Sequence, residues 1–235
     1  MTAIPTHAMI LAAGLGMRMR PLTLTLPKPL LPVAGRTMLD RVLDHLDAVG
    51  CVHRVVNIHW LPDALRAHLA GRPNITLSAE TELLDTGGGI ARALPWLGER
   101  AFYACNADIV WRDGNSPALA RLAAAWEDRR MDALLLLQPT AGAFGYDGAG
   151  DFLIDGEGRL SRRPPGGDSP FLFAGVQILH PRLFAAAPPG PFSLNLLYDR
   201  AAAAGRLYGL VHDGAWYHIG TPAALAEASV LLAGS

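Results

Sequence analysis

Apolar residues along this chain gather in short runs of two kinds. Residues 7–13 (HAMILAA) are an unbroken apolar stretch ending at Gly14, the pattern of a strand buried on both faces of a sheet. Runs at 53–59, 74–80, 101–109 and 131–139 repeat it. Between them, apolar positions recur at helical spacing over 37–50, 61–71, 86–98 and 116–128. Thr37 is placed to cap the first of these and Gly50 to stop it, and the last carries proline in its first turn. The segment 86–98 is expected to start as a glycine loop (TGGG, 86–89) before becoming helical. Strand–helix alternation through residue 139 predicts an α/β domain, a parallel sheet with helices on both faces. The remainder is less regular, with strands expected at 150–155, 171–181, 207–213 and 215–220. Helices are expected at 193–205 and 222–234, and loops at 140–150 and 160–170. No hexapeptide solenoid repeat is present.

Composition narrows the function classes. The chain has 235 residues, 51% of them hydrophobic, enough for a buried core, and a net charge of −1. No basic run exceeds two residues, so a basic face for nucleic acid is excluded while a local phosphate pocket is not. The apolar run near the N-terminus is too short for a membrane span and lacks a basic leader, so a cytoplasmic protein is expected. Cys51 and Cys105 lie in apolar runs and read as core residues of a reducing compartment. Of the 20 basic residues, 19 are arginine. Lys28 is the single lysine, in a loop between two prolines.

That loop begins where the first buried strand ends, the position at which open parallel sheets bind ligands. Gly14 and Gly16 let backbone N–H groups approach an anion, and Arg18 and Lys28 add charge. A dinucleotide fingerprint is disfavoured, because GLGMRM has methionine at the third glycine position and runs into Pro21. A P-loop is absent. Taken alone, two glycines with nearby arginines are more often a solvated turn.

The whole string LAAGLGMRMRPLTLTLPKPLLPVAG closely resembles the signature of the sugar-1-phosphate nucleotidylyltransferases, and the resemblance continues through LLDTGGGI (83–90), NADIVW (106–111) and WYHIGTP (216–222). It implies a Rossmann-like mixed, mainly parallel sheet flanked by helices. It implies one domain over 1–235, with 1–139 as a nucleotide-binding half and 140–235 as a sugar-binding half. It also implies an enzyme whose partners are an NTP and a sugar 1-phosphate, with no nucleic acid and no membrane. By this resemblance Ala12, Ala13, Gly14, Gly16 and Met17 cradle the triphosphate. Arg18 and Lys28 are the catalytic cations: Arg18 on the β- and γ-phosphates, Lys28 on the α-phosphate or the incoming sugar phosphate. A compact ammonium suits a centre whose geometry changes during reaction. Asp108 is the metal ligand for Mg²⁺; without the motif it reads as a strand-end turn residue. Asn106 faces the sugar or ribose, Gly87 in TGGG marks close approach to a base, and Glu80 is a candidate for reading the base edge.

Two departures stand out. His218 occupies the place where the family carries a second acidic metal ligand. Imidazole suits Mn²⁺ or Co²⁺ better than Mg²⁺, so His218 is a metal ligand, a phosphate contact or a structural residue, and nearby Asp213 is a substitute. Arg162 and Arg163 stand where many members carry Glu-Lys-Pro, and read equally as phosphate contacts or as a solvated loop. The remaining motifs look most similar to the N-acetylmuramate-1-phosphate uridylyltransferase branch, short bacterial enzymes of peptidoglycan recycling. On that branch Asp151 is a sugar contact. Mannose- or heptose-1-phosphate guanylyltransferases are the alternative branch, and a non-catalytic nucleotide-sugar-binding regulator the alternative class. The sequence leaves the oligomeric state open, with a monomer compatible.

Overall fold

The computed structural model describes residues 4–234. Its centre is four parallel strands: β1 (His7–Leu11), β4 (His53–Ile58), β5 (Ile75–Ala79) and β6 (Phe102–Asn106), in the order β6-β1-β4-β5. Period-two alternation sends successive residues of each strand to opposite faces. Ala8 and Ile10 of β1 join one core, with Val56, Ile58, Tyr103 and Cys105. Met9 joins the other, with Val55, Phe102 and Ala104. Helices α1 (Met38–Ala48), α2 (Pro62–Leu69) and α4 (Ala118–Ala125) cover the first face. The second face is covered by α3 (Asp85–Leu97) and α5 (Asn195–Ala203). Cys51 and Cys105 are free thiols in the core, and burial pushes the Cys51 thiol up to about 12.

Beyond β6 the sheet departs from simple alternation. β8 (Ala133–Pro139) does not pair with β6. Instead β11 (Phe171–Leu179) enters between them, antiparallel to both, and β12 (Leu207–Val211) pairs parallel outside β8. The strands β9 (Phe152–Ile154) and β10 (Leu160–Arg162) add to the other side of β11. Only β10 and β11 run against the rest, so the sheet is mixed and mainly parallel. Part of the expected 160–170 loop is therefore strand. The register of β11 slips between Phe173 and Gln177, where Gly175 has φ +80° and lies close to Asn106 and Ile109.

Local chemistry sets the helix ends. Thr37 caps α1, its side chain accepting from the Asp40 N–H. The expected glycine loop at 86–89 is instead the first turn of α3. Glycine in a helix costs about 1 kcal/mol per residue against alanine, and packing accounts for its use here. A Cβ on Gly87 would overlap the Phe192 ring and one on Gly88 would lie 2.6 Å from the Gly190 carbonyl oxygen.

Two short antiparallel pairings complete the fold: β2 (Pro32–Val33) with β3 (Arg36–Thr37), and β7 (Val110–Arg112) with the distant β13 (Ala215–Tyr217). The last helix, α6 (Pro222–Ala233), is capped by Thr221. Among the described residues no helix is long and apolar enough to cross a membrane.

Asp40 joins two of the covering helices. Its Oδ1 accepts from His68 Nε2 at 2.8 Å and Arg72 Nη2 at 2.7 Å. Burial pushes the carboxyl up, but the hydrogen bonds from His68 and Thr37 and the charges of His68 and Arg72 outweigh it and hold the carboxyl below its ordinary value. A depressed carboxyl stabilises the fold above its unfolded pKa and loses that contribution as pH falls through its folded pKa. We expect Asp40→Asn to cost about 1–2 kcal/mol at pH 7, read from urea denaturation. The gap to wild type should close as pH falls below about 4. Equal stability of the two proteins at pH 7 would remove Asp40 as a tie.

Candidate active site

The strands β1, β4 and β6 end on one edge of the sheet, and a cleft of about 510 Å³ opens there. Ala12, Ala13, Gly14, Gly16, Met17 and Arg18 form one wall, and Leu83, Asp85 and Thr86 line it too. Lys28, Asn57, Glu80, Asn106, Asp108 and Gly220 are also in the lining.

The glycine loop is shaped by what surrounds it. Gly16 has φ +59°, and a Cβ there would lie 2.9 Å from Thr23 Cγ2 and 3.2 Å from Lys28 Cβ. Thr23 is fully buried and its hydroxyl donates to the Gly16 carbonyl at 2.8 Å. Trp60 Nε1 donates to the Thr23 carbonyl at 2.9 Å. The loop is thus pinned against the segment that carries Lys28. Gly14 differs: a Cβ there would meet nothing within 4 Å, so this face of the loop is open to the cleft.

Lys28 is buried, and its Nζ donates to Asp108 Oδ2 at 2.7 Å. Asp108 is half-exposed, with its side chain 41% accessible. It falls in the short link between β6 and β7, so the strand expected over 101–109 stops early and turns the carboxylate toward the lysine. Arg18 is exposed at the cleft, and no carboxylate pairs with it among the described residues.

The β7–β13 pairing carries the C-terminal segment to the same place. His218 follows β13, its N–H bonded to the Phe144 carbonyl at 2.9 Å, and its ring stacks on Trp216. A Cβ on Gly220 would lie 2.6 Å from His218 Nε2 and 3.4 Å from Arg18 Nη1. His218 is not itself in the lining, but it lies against Gly220, which is. Burial lowers its pKa, the charges of Lys28 and Arg18 lower it further, and Asp108 and Asp147 oppose them. The ring is neutral at pH 7 and keeps a lone pair.

Several expected residues are committed elsewhere. Gly87 is outside the lining, and its N–H is taken by the Phe192 carbonyl at 2.9 Å. Asp151 is also outside, its Oδ2 accepting from the Phe173 N–H at 2.9 Å. Arg162 bonds Asp199 at 2.6 Å and covers the Phe152 ring, and Arg163 bonds the Gly150 and Gly167 carbonyls. Both arginines therefore tie strands and loops together. Asp213 is paired with Arg121. Glu80 is in the lining, but both its oxygens already accept protein hydrogen bonds, from Asn57 Nδ2 at 2.7 Å and the Leu84 N–H at 3.0 Å. Sequence reasoning missed Asn57; its signal was one amide inside the apolar run RVVNIHW.

The comparisons with known proteins agree with this geometry. Residues 8–144 match the MobA-like NTP transferase domain. The chain is 41% identical to an N-acetylmuramate alpha-1-phosphate uridylyltransferase of Caulobacter vibrioides, over 99% of both chains. A protein of the same name from Neisseria meningitidis is 35% identical, over 95% of this chain and 97% of its own. The chain belongs to the sugar-1-phosphate nucleotidylyltransferases. A solved member of this fold, a UDP-glucose pyrophosphorylase complexed with UDP-glucose, superposes with a TM-score of 0.80. It is 18% identical, with 96% of this chain and 97% of that one covered. As a nucleotidyltransferase, the chain joins a nucleotidyl group from an NTP to a sugar 1-phosphate.

Among the described residues no group of three or more His, Cys, Asp and Glu side chains is gathered as a metal cage. The donors present, one half-exposed carboxylate with a neutral imidazole nearby, fit an ion that shares its shell with phosphate oxygens and water, as Mg²⁺ does in phosphoryl-transfer sites.

The two loop glycines should respond differently to alanine. Gly16→Ala imposes a left-handed conformation costing about 1–2 kcal/mol and pushes on Thr23 and Lys28, so both Tm and kcat/KM should fall. Gly14→Ala should leave Tm unchanged and raise KM for the NTP, because its methyl projects into the cleft. Thermal melts with steady-state kinetics separate the two, and identical behaviour would contradict the placement.

Proposed function

We propose that this nucleotidyltransferase uses UTP and N-acetylmuramate α-1-phosphate, giving UDP-N-acetylmuramate and pyrophosphate for peptidoglycan recycling. The observation that carries the choice of substrates is the 41% identity to the Caulobacter enzyme over 99% of both chains. A sugar-phosphate oxygen attacks the α-phosphorus, a P–O bond forms, and the bond to the β-phosphate breaks, its electron pair leaving with pyrophosphate. The protein's task is to hold two anions in line and to offset the charge that develops.

In this reading the backbone from Ala12 to Met17 holds the triphosphate. Arg18, with no carboxylate of its own among the described residues, takes the β- and γ-phosphates and the departing charge. Lys28 reaches the α-phosphate or the sugar phosphate from its buried position, its aim set by Pro27, Pro29 and the Gly16 contact. Asn106 bonds a sugar or ribose hydroxyl. A divalent cation would be held by Asp108, with His218 as a neutral second donor, and it would supply positive charge to offset that of the phosphates. The neutral imidazole favours Mn²⁺ or Co²⁺ beside Mg²⁺. Residues 1–139 contribute the NTP side and 140–235 the sugar side. Asp151 and Gly87 act only indirectly, by fixing β11 and α3.

A pyrophosphate-release assay over four NTPs and a panel of sugar 1-phosphates tests the substrates. UTP with N-acetylmuramate 1-phosphate should give the highest kcat/KM; a preference for GTP would move the chain to the guanylyltransferase branch, and no turnover with any pair would remove catalysis. Lys28→Ala should cut kcat/KM by about 10²–10⁴-fold, the worth of a charge acting at the reacting phosphates. A loss below about tenfold would place Lys28 away from them.

A further inference from the structure

We infer that Asn57 and Glu80 form a positioning pair that holds the two walls of the cleft at a set separation. Their place is the gap between the ends of β1, β4 and β5. Asn57 is 3% exposed and Glu80 7%. The Asn57 Oδ1 accepts from the Ala12 N–H at 2.7 Å, at the root of the glycine loop. Its Nδ2 donates to Glu80 Oε1 at 2.7 Å, and Glu80 Oε2 accepts from the Leu84 N–H at 3.0 Å. Leu84 immediately precedes α3 and is flanked by Leu83 and Asp85, which line the same cleft. A continuous chain of three hydrogen bonds therefore runs from the triphosphate loop to the start of α3.

The pair is confined on its remaining sides. A Cβ on Gly89 would lie 2.9 Å from both Asn57 Nδ2 and Glu80 Oε1. The Glu80 backbone is held by the Ile58 carbonyl and by His59 Nδ1. The sequence resemblance offers Glu80 as a reader of the base edge. With both oxygens serving the protein, its charge acts through the loop it anchors, and Asn57 supplies the polarity that makes the anchor possible. This reading deepens the proposed NTP site and rests on it.

The pair can be inverted chemically. Asn57→Asp places two carboxylates in hydrogen-bond contact, where their repulsion breaks the bond until one of them takes up a proton. Glu80→Gln sets an amide N–H₂ against either Asn57 Nδ2 or the Leu84 N–H. In the double variant all three bonds are restored, and only the one between positions 57 and 80 reverses its direction. The Ala12 N–H donates to one oxygen of the carboxylate now at position 57. The amide nitrogen now at position 80 donates to the other oxygen, and the amide oxygen there accepts from the Leu84 N–H.

The test measures UTP affinity by calorimetry, kcat and KM for UTP, and Tm for wild type, both single variants and the double variant. Each single variant should weaken UTP by about tenfold or more, mostly in KM, as expected for a broken charged hydrogen bond. Asn57→Asp should recover affinity as pH falls and the pair takes up its proton. The double variant should return to within about threefold of wild type, less than one ordinary hydrogen bond, and lose that pH dependence. A double variant with wild-type Tm but the affinity of Glu80→Gln would overturn the inference and make Glu80 a direct ligand contact. Single variants that lower Tm and leave UTP affinity untouched would reduce the pair to a structural tie and overturn it equally. Affinities in the expected order without turnover in wild type would leave the pair standing and remove the transfer reaction.

Discussion

A central strand that ends inside a sheet leaves a backbone N–H with no ladder partner, and burying such a group unpaired costs about 1–3 kcal/mol. At the end of β1 that group is the Ala12 N–H, and Asn57 supplies its acceptor. Much of the cleft's shape follows. Satisfying Ala12 from the side lets the chain leave the sheet at once into the glycine loop, without another residue of strand. Asn57 then needs an acceptor for its own amide, which puts a carboxylate at the end of β5. The carboxylate needs a further donor, which draws in the turn before α3. The crowding this produces leaves no room for a side chain at Gly89. Gly89 is thus a packing consequence of a polar network, paid for in helix propensity, while Gly87 and Gly88 answer to Phe192 and Gly190.

Around that frame the charges are arranged by exposure. Arg18 stands in solvent without a carboxylate partner among the described residues, while Lys28 is buried and matched by Asp108 at 2.7 Å. A buried ammonium needs such a partner, because removing an ion from water costs more than packing returns. The cleft therefore presents an exposed guanidinium beside a buried, ion-paired lysine. Burial, and after it the charges of the same two cations, lower the His218 pKa from its ordinary value, against the pull of Asp108 and Asp147.

Legibility in the sequence followed chain locality. Residues 12–28 sit in one continuous string with glycines, prolines and isolated cations, and their composition alone separates them from core. Asp108 was readable because it ends an apolar run. Asn57 carried the same kind of signal, a polar residue in a buried strand, and went unread because its partners are 45 and 23 residues away. TGGG looked like a loop because glycine propensity outweighed the helical spacing that follows. The collisions that require glycine come from Phe192 and Gly190, about a hundred residues on. The partners of Asp151, Arg162 and Arg163 were unreadable for a related reason: in the irregular C-terminal half, charged residues bond to strands and loops whose pairing no local pattern announces. The insertion of β11 between β6 and β8 was invisible for the same cause, since a strand's neighbours are set by the whole sheet.

Lys28 is the chain's sole side-chain amine, and every other cationic side chain presents a guanidinium or an imidazole. Acylating reagents directed at amines consequently have one side chain to find, and it lies at the base of the cleft beneath the glycine loop. Because its Nζ is paired with Asp108, such a reagent reaches it only through the cleft and only when that pair opens. Whatever occupies the cleft shields Lys28, so the fold contains its own covalent reporter of occupancy, with no labelled residue introduced and no background from surface lysines.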